Sequence, residues 1–278
     1  MKKFISVVIV IIGLAVLCGC DVSDPKTKST TQADTYASEL LVFAATGTKA
    51  PMDAAAAAFE EKYGTKIVLN YGGGGEVLSN MILSKQGDVY VSPEQRFMNS
   101  AKQQGAVGID TAPSSLAYMI PVLAVQKGNP LNIQNLADLS ASGVKIAIGN
   151  PDTTLLGEAA PEILQKAGLY ESVKGNIVAN VPQVNAIVTY LKTKQIDAGF
   201  AWHYFGVTNP DDIDIIWIPA EYVTAIGELQ AAVATYSKEA WTAQQFIKFL
   251  SSSDGQAIFK QYGYIVDQTE ANQYRKGN

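Results

Sequence analysis

Two consecutive strand-turn-helix units in residues 40–81 constrain the fold of this chain more than any other feature. The apolar run LLVFAA (40–45) predicts a buried strand of the parallel type, and the small turn TGT leads from it into a segment of helical spacing that ends at Gly64. The pattern then repeats, with a strand at 67–71, the run GGGG (72–75) and a second helix. Both turns direct unpaired backbone N–H groups, at the positive ends of helix dipoles, toward one crevice, which favours an anion.

The alternation of strands and helices continues to the end of the chain, which predicts an α/β protein with doubly wound parallel sheets. Further strands are predicted at 87–92, 116–125, 144–148, 177–181, 197–202, 214–218 and 228–236. Helices are predicted at 93–104, 135–139, 156–167, 182–191, 240–250 and 256–262. Pro121 interrupts one apolar run, and because proline lacks the N–H that a central strand needs, that strand is predicted to break or to cross between lobes there.

The amino terminus has the form of a bacterial or archaeal lipoprotein signal. Two lysines precede an apolar segment (4–17) that is shorter than the ~18 to 20 residues needed to span a bilayer. The tetrapeptide LCGC, which ends at Cys20, resembles a lipobox. We therefore predict a signal peptide at 1–19, a lipid on the thiol of Cys20, and a protein held on the outer face of the cytoplasmic membrane. Residues 20–38, rich in Ser, Thr, Asp and Lys, are predicted to be a flexible tether.

The composition argues against two classes of function. Loss of the signal peptide would change the formal net charge from −5 to −7, and an acidic chain without a basic cluster is a poor nucleic-acid binder. The cysteines, Cys18 and Cys20, both lie at the signal, and His203 is the single histidine. With no G-x-S-x-G, no H-E-x-x-H and no Cys/His cluster, the sequence predicts no enzyme, no cofactor and no bound metal, although chemistry by a carboxylate pair stays open.

From about residue 40 to residue 264 the chain resembles the molybdate- and tungstate-binding proteins of ABC importers, a branch of the periplasmic-type extracellular solute-binding superfamily. The segments that carry the resemblance are VFAATGTKAPM, FEEKYGTKI, YGGGGEVL, GDVYVS, IAIGNPDTTLLGEAAPEILQKAGL, IDAGFAW and FKQYGY. It implies a two-lobe periplasmic-binding-protein fold (type II) with doubly wound sheets and two crossover strands, and a solute bound between the lobes. Lobe 1 would contain residues 39–118 and 221–278, and lobe 2 residues 119–220.

The resemblance also implies a binding site, from which this chain departs. Two serine hydroxyls of the family align with Gly47 and Gly74, and a tyrosine of the family aligns with Trp202. Because a dehydrated oxyanion needs a donor for nearly every oxygen, neighbouring hydroxyls and backbone N–H groups are expected to replace the lost ones. The predicted ligand-binding residues are Thr46, Gly47, Thr48, Gly73, Gly74, Thr153, Thr154, Leu156, Val184, Trp202 and Tyr204.

The predicted function is capture of an oxyanion, with molybdate or tungstate first, and its delivery by a monomeric carrier to an ABC permease and its ATPase. The alternatives are a carrier of sulfate, phosphate or a small carboxylate, a ligand sensor, and an extracytoplasmic enzyme.

Single residues also have structural interpretations. The glycine run can be a tight turn that needs positive φ, the threonines can be helix caps, and Trp202 can pack in the core. His203 can be structural, and Glu76 is expected to face solvent at the start of its helix.

Overall fold

The computed structural model describes residues 35–108, 110 and 112–275. The predicted signal peptide, Cys20 and most of the predicted tether lie outside these residues. Within the described part of the chain, no helix combines the length and the apolar character needed to cross a bilayer.

The described strands form two five-stranded sheets. The strands are β1 (Glu39–Ala45), β2 (Lys66–Gly72), β3 (Val89–Ser92), β4 (Ser114–Met119), β5 (Pro121–Gln126), β6 (Ile146–Gly149), β7 (Ile177–Val181), β8 (Ala198–Trp202), β9 (Ile213–Trp217) and β10 (Gly227–Val233). The first sheet has the order β2-β1-β3-β10-β4 and the second has the order β7-β6-β8-β5-β9. We call the first sheet with its helices lobe 1 and the second sheet with its helices lobe 2. The lobe boundaries predicted from the sequence stay a prediction, which this division of the strands supports.

Helices flank both sheets. The α-helices are α1 (Lys49–Tyr63), α2 (Gly74–Ser84), α3 (Gln95–Gln103), α4 (Leu155–Lys166), α5 (Tyr170–Val173), α6 (Ala186–Lys192), α7 (Phe205–Thr208), α8 (Ala240–Ser251), α9 (Ser253–Gln261) and α10 (Gln268–Asn272), with short 3-10 turns at Thr46–Thr48, Leu136–Ser140, Lys174–Asn176 and Ala220–Tyr222. The α1 helix ends as predicted at Gly64, which has a left-handed conformation (φ 73°). Other predictions were less accurate, because α6 begins at Ala186 rather than at residue 182 and α9 begins at Ser253 rather than at residue 256. The short helices α5, α7 and α10 were not predicted.

The prediction of fully parallel sheets is wrong for one strand in each sheet. In lobe 1, β10 runs antiparallel to both β3 and β4, and in lobe 2, β5 runs antiparallel to both β8 and β9. The reason is the connection between the lobes. A strand becomes parallel to its neighbours when a crossover returns the chain to the same end of the sheet. The β5 strand instead enters the second sheet directly from β4 through Ile120, and β10 enters the first sheet from the connection that follows β9.

The predicted break at Pro121 is confirmed. The β4 strand ends at Met119 in the first sheet, and β5 begins at Pro121 in the second. As the first residue of its strand, Pro121 occupies one of the few sheet positions where a missing N–H is tolerated. The return connection runs through residues 218–226, between β9 and β10.

Candidate ligand-binding site

A cavity of about 110 Å³ lies between the two lobes, where the turns after several strands meet. Lobe 1 contributes the turns after β1, β2 and β3, and lobe 2 contributes those after β6, β7 and β8. Ligands of open α/β sheets bind outside the carboxyl ends of the strands, and this cavity has that position. No lysine or arginine is among the described residues that line it.

The structure brings ten of the eleven predicted site residues to this cavity. They are Thr46, Gly47, Thr48, Gly73, Gly74, Thr153, Thr154, Val184, Trp202 and Tyr204. The exception is Leu156, whose side chain is buried in the core and does not line the cavity. The bend at 46–48 and the glycine run therefore lie on the same side of the molecule, as the sequence pattern predicted.

Backbone N–H groups are the main donors that the fold leaves available here. Among the hydrogen bonds of the described residues, the N–H groups of Gly47, Gly74 and Val184, which line the cavity, have no protein acceptor, and neither has that of Leu156, which lies behind the cavity wall. Gly74 and Leu156 lie in the first turns of α2 and α4, where backbone N–H groups have no partner within the helix and the helix dipole favours a negative charge.

The threonine hydroxyls are largely engaged in local structure. Three of the four predicted hydroxyls donate to nearby carbonyl groups: Thr48 to Ala45 at 2.7 Å, Thr153 to Pro182 at 3.0 Å and Thr154 to Asn150 at 3.1 Å. Thr154 also caps α4, because its Oγ1 accepts the N–H of Gly157 at 3.0 Å. A hydroxyl has one hydrogen to donate, so donation to a ligand from these three residues would require their present bonds to break.

Tyr204 occupies the space that the glycine at position 47 leaves free. A Cβ atom built on Gly47 would lie 3.0 Å from the Tyr204 hydroxyl oxygen, so that hydroxyl lies beside the position where the resemblance implies a serine. The ring of Tyr204 stacks on that of Tyr264 at 4.2 Å, and the Tyr264 hydroxyl donates to the Gly47 carbonyl at 3.0 Å. Burial raises the pKa of both phenols, so both stay protonated and able to donate.

The ring of Phe97 fills the corresponding space beside Gly74. A Cβ on Gly74 would lie 2.5 Å from Phe97 Cε2, so a side chain at this position would require the Phe97 ring to move. None of the glycines at 72–75 has a positive φ, so the interpretation of this run as a turn that needs positive φ is wrong. At Gly74 the missing side chain instead leaves the space that the Phe97 ring occupies.

Glu94 contributes a buried carboxylate to the cavity wall and was not predicted as a site residue. Both of its carboxylate oxygens lie 3.3 Å from the backbone nitrogen of Leu155 in lobe 2, and its Oε2 accepts from Arg96 Nε at 3.0 Å. Burial raises the pKa of Glu94, and the neighbouring Arg96 guanidinium opposes that rise. The motif SPE could have indicated this residue, because it follows the third strand directly. The turns after several other strands had already been assigned to the site.

The cavity lining also includes residues that were not among the predicted ligand-binding residues. They are Ala45, Gly72, Pro93, Phe97, Met119, Pro182, Gln183, Asn185, Phe205 and Tyr264. His203 is buried beside Ile120 and does not line the cavity. Glu76 lies in the first turn of α2 and accepts the exposed N–H of Gly73 at 3.1 Å, which agrees with its predicted position at the start of the helix.

Comparisons with known proteins agree with this architecture. The family model for bacterial extracellular solute-binding proteins matches residues 40–265. The molybdate-binding protein ModA of Escherichia coli (strain K12) is 23% identical over 234 residues, which cover 82% of this chain and 89% of ModA.

Two solved structures have the same fold. The periplasmic molybdate-binding protein of Azotobacter vinelandii has a TM-score of 0.69 at 22% identity and covers 82% of this chain and 100% of its own. L-phospholactate-bound PEB3, a protein of Campylobacter jejuni, has a TM-score of 0.71 at 23% identity and covers 81% of this chain and 99% of its own. The resemblance identified in the sequence is thus confirmed, and the chain belongs to the bacterial extracellular solute-binding protein family, with the two-lobed α/β fold of periplasmic binding proteins.

Proposed function

We propose that this protein captures a small oxyanion, with molybdate or tungstate first, in the interlobe cavity and delivers it to an ABC importer. The observation that carries the proposal is the convergence of unpaired N–H groups from both lobes on one cavity, whose lining in the described part of the chain includes no lysine or arginine. Such groups hold an anion through fixed dipoles, which suits an acidic protein that lacks a basic patch. The molybdate-binding relatives give further support.

A second candidate is an organic anion, such as a phosphate ester or a small carboxylate. The specific observation in its favour is the apolar wall formed by Phe97, Met119 and Trp202. At ~10–15 Å³ for each water-sized atom, a cavity of about 110 Å³ has room for more than the five atoms of a tetrahedral oxyanion. The phospholactate-bound neighbour supports the same reasoning.

Isothermal titration calorimetry separates the two candidates. The protein is titrated with molybdate, tungstate, sulfate, phosphate and thiosulfate, and then with L-phospholactate and lactate. Tightest binding of molybdate or tungstate is the expected result. Preference for an organic anion would select the second candidate, and the absence of heat with every anion would contradict an anion site.

Three variants test whether the glycine turn contacts the ligand. Gly74→Asp places a carboxylate and extra volume in the site and should abolish binding, whereas Gly74→Ala adds the volume without the charge. Gly75→Asp is the matched control, because Gly75 also lies in the first turn of α2 but does not line the cavity, and its Cβ would contact Phe97 at an ordinary 3.5 Å. Equal affinity for the Gly74→Asp and Gly75→Asp variants would show that the turn is not part of the site.

We further propose that the protein is a lipid-anchored monomer outside the cytoplasmic membrane and has no enzymatic activity. The sequence LCGC and the transport proteins among its relatives support this. Replacing Cys20 by Ala should release the protein from the membrane fraction, and replacing Cys18 by Ala should not, because only Cys20 remains after the predicted cleavage. Uptake of the bound anion by cells that carry the matching permease would distinguish an importer subunit from a sensor.

A further inference from the structure

A small polar network connects the two lobes beside the cavity. On lobe 1, Glu94 directly precedes α3 and Arg96 lies in its first turn, while Leu155 and Glu158 lie in the first turn of α4 on lobe 2. We infer that Glu94 is a positioning residue that, together with Arg96, clasps the amino end of α4 against lobe 1, holds the cleft closed and slows the departure of a bound ligand.

The contacts of this clasp cross the cleft in both directions. The N–H of Leu155 in lobe 2 faces both carboxylate oxygens of Glu94 in lobe 1 at 3.3 Å. The guanidinium of Arg96 in lobe 1 donates to Glu158 Oε1 in lobe 2 at 3.1 Å and, through Nε, to Glu94 Oε2 at 3.0 Å. One guanidinium thus joins a carboxylate of each lobe, and separation of the lobes would break both crossing contacts.

Burial decides which contact of the clasp matters most. The side chain of Glu94 is 8% exposed, that of Arg96 is 29% exposed and that of Glu158 is 50% exposed. A buried carboxylate needs its partners, whereas an ion pair that is half exposed contributes little. We therefore assign the larger effect to Glu94 and its contact with the helix terminus, and a smaller one to Glu158.

The position of Glu94 connects the clasp to the ligand. Glu94 lines the ligand cavity and also a second cavity of about 640 Å³, which Leu155 and Arg96 line as well. The clasp therefore lies where the two cavities adjoin, and its opening would widen the exit from the ligand cavity. It also occupies the N–H of Leu155 and leaves the next N–H, that of Leu156, without a protein acceptor.

Two measurements test the clasp, and only the second rests on the proposed function. Small-angle X-ray scattering of the ligand-free protein should give a larger radius of gyration for the Glu94→Gln variant than for the wild type. Stopped-flow tryptophan fluorescence, for which Trp202 in the cavity wall is the reporter, should show that molybdate dissociates at least about tenfold faster from this variant. Its association rate should change much less. A general loss of stability would not raise the dissociation rate while it left the association rate nearly unchanged.

Two further variants make the test specific. The Glu158→Gln variant alters a half-exposed side chain, whose ion pair should contribute little to stability, and it should speed dissociation by about threefold. The matched control is Glu228→Gln, which removes a carboxylate that is 13% exposed and paired with Arg275 at 3.0 Å, without spanning the cleft. Scattering and dissociation rates of the Glu94→Gln variant equal to those of the control would overturn the proposal. If molybdate does not bind the wild type, the ligand assignment fails and the scattering result alone decides the clasp.

Discussion

Acid should destabilise this protein through one buried histidine at the junction of its lobes. His203 follows β8, and its backbone N–H donates to the carbonyl of Ile120 at 3.0 Å, while the N–H of Ile120 donates to His203 Nδ1 at 3.0 Å. Ile120 is the residue between β4 and β5, where the chain passes from the first sheet to the second. The histidine is 6% exposed, and burial lowers the pKa of its imidazole from 6.5 to about 4.

The sign and size of the effect follow from that shift. Between pH 6.5 and pH 4 the unfolded chain binds a proton at this histidine and the folded chain does not, so the free energy of unfolding falls as the pH falls. At ~1.4 kcal/mol for each unit of pKa difference, the loss is about 2 kcal/mol at pH 5 and about 3 kcal/mol at pH 4. Protonation of Nδ1 would also remove the acceptor of the Ile120 N–H, so the loss acts at the junction between the sheets.

Urea unfolding at a series of pH values between 7.5 and 4 measures this loss. The control is His203→Asn, whose amide oxygen can accept the N–H of Ile120 but does not titrate. All other groups titrate in both proteins, so the difference between the two free energies of unfolding isolates the histidine. Between pH 7.5 and pH 4, the free energy of unfolding of the wild type should fall by about 3 kcal/mol more than that of the variant. A difference that stays constant over this range would refute the assignment of a neutral, buried imidazole.

Three other substitutions have clear expected outcomes. Gly157→Ala should lower the free energy of unfolding in urea by more than about 3 kcal/mol, because the new Cβ would lie 2.3 Å from the carbonyl carbon of Asn150; Gly175→Ala, where the Cβ meets nothing within 4 Å, should change little. Tyr204→Phe should weaken anion binding by about tenfold to a hundredfold in calorimetry, because it removes a buried donor from the cavity wall. Thr154→Ala should lower the thermal unfolding midpoint by an amount that corresponds to about 1 kcal/mol, since it removes the cap of α4.

The fold could be predicted from the sequence because its signals are local. Apolar runs such as residues 40–45 identify buried strands, and Pro121 marks the point where one strand must end and the next begin. Strand direction was harder to predict, since β5 and β10 are antiparallel to their neighbours owing to the connections between the lobes. Those connections are a property of the whole topology and not of any single segment.

The outline of the candidate site could be predicted from the sequence, whereas the side-chain contacts between distant segments could not. Gly47 and Gly74 could be identified from the turns that contain them, because a turn is formed by consecutive residues. The contacts of Thr153 and of Glu94, by contrast, depend on partners distant in the chain. Thr153 donates to a carbonyl 29 residues away, and Glu94 meets the N–H of a residue 61 positions away, so no local pattern predicts either contact.

The two glycines that replace the serines implied by the resemblance have opposite consequences for the ligand. At Gly47, the hydroxyl of Tyr204 lies where the serine side chain would be, so a donor remains on that side of the cavity. At Gly74, the ring of Phe97 fills the space, so a donor is replaced by apolar surface. Of these two replacements, only the one at Gly74 removes a hydrogen-bond partner of a bare oxyanion. For the proposed anion, we therefore expect selectivity between a bare oxyanion and an organic anion to depend on the space beside Phe97, where a hydrocarbon group would be favoured and an unpaired oxygen would not.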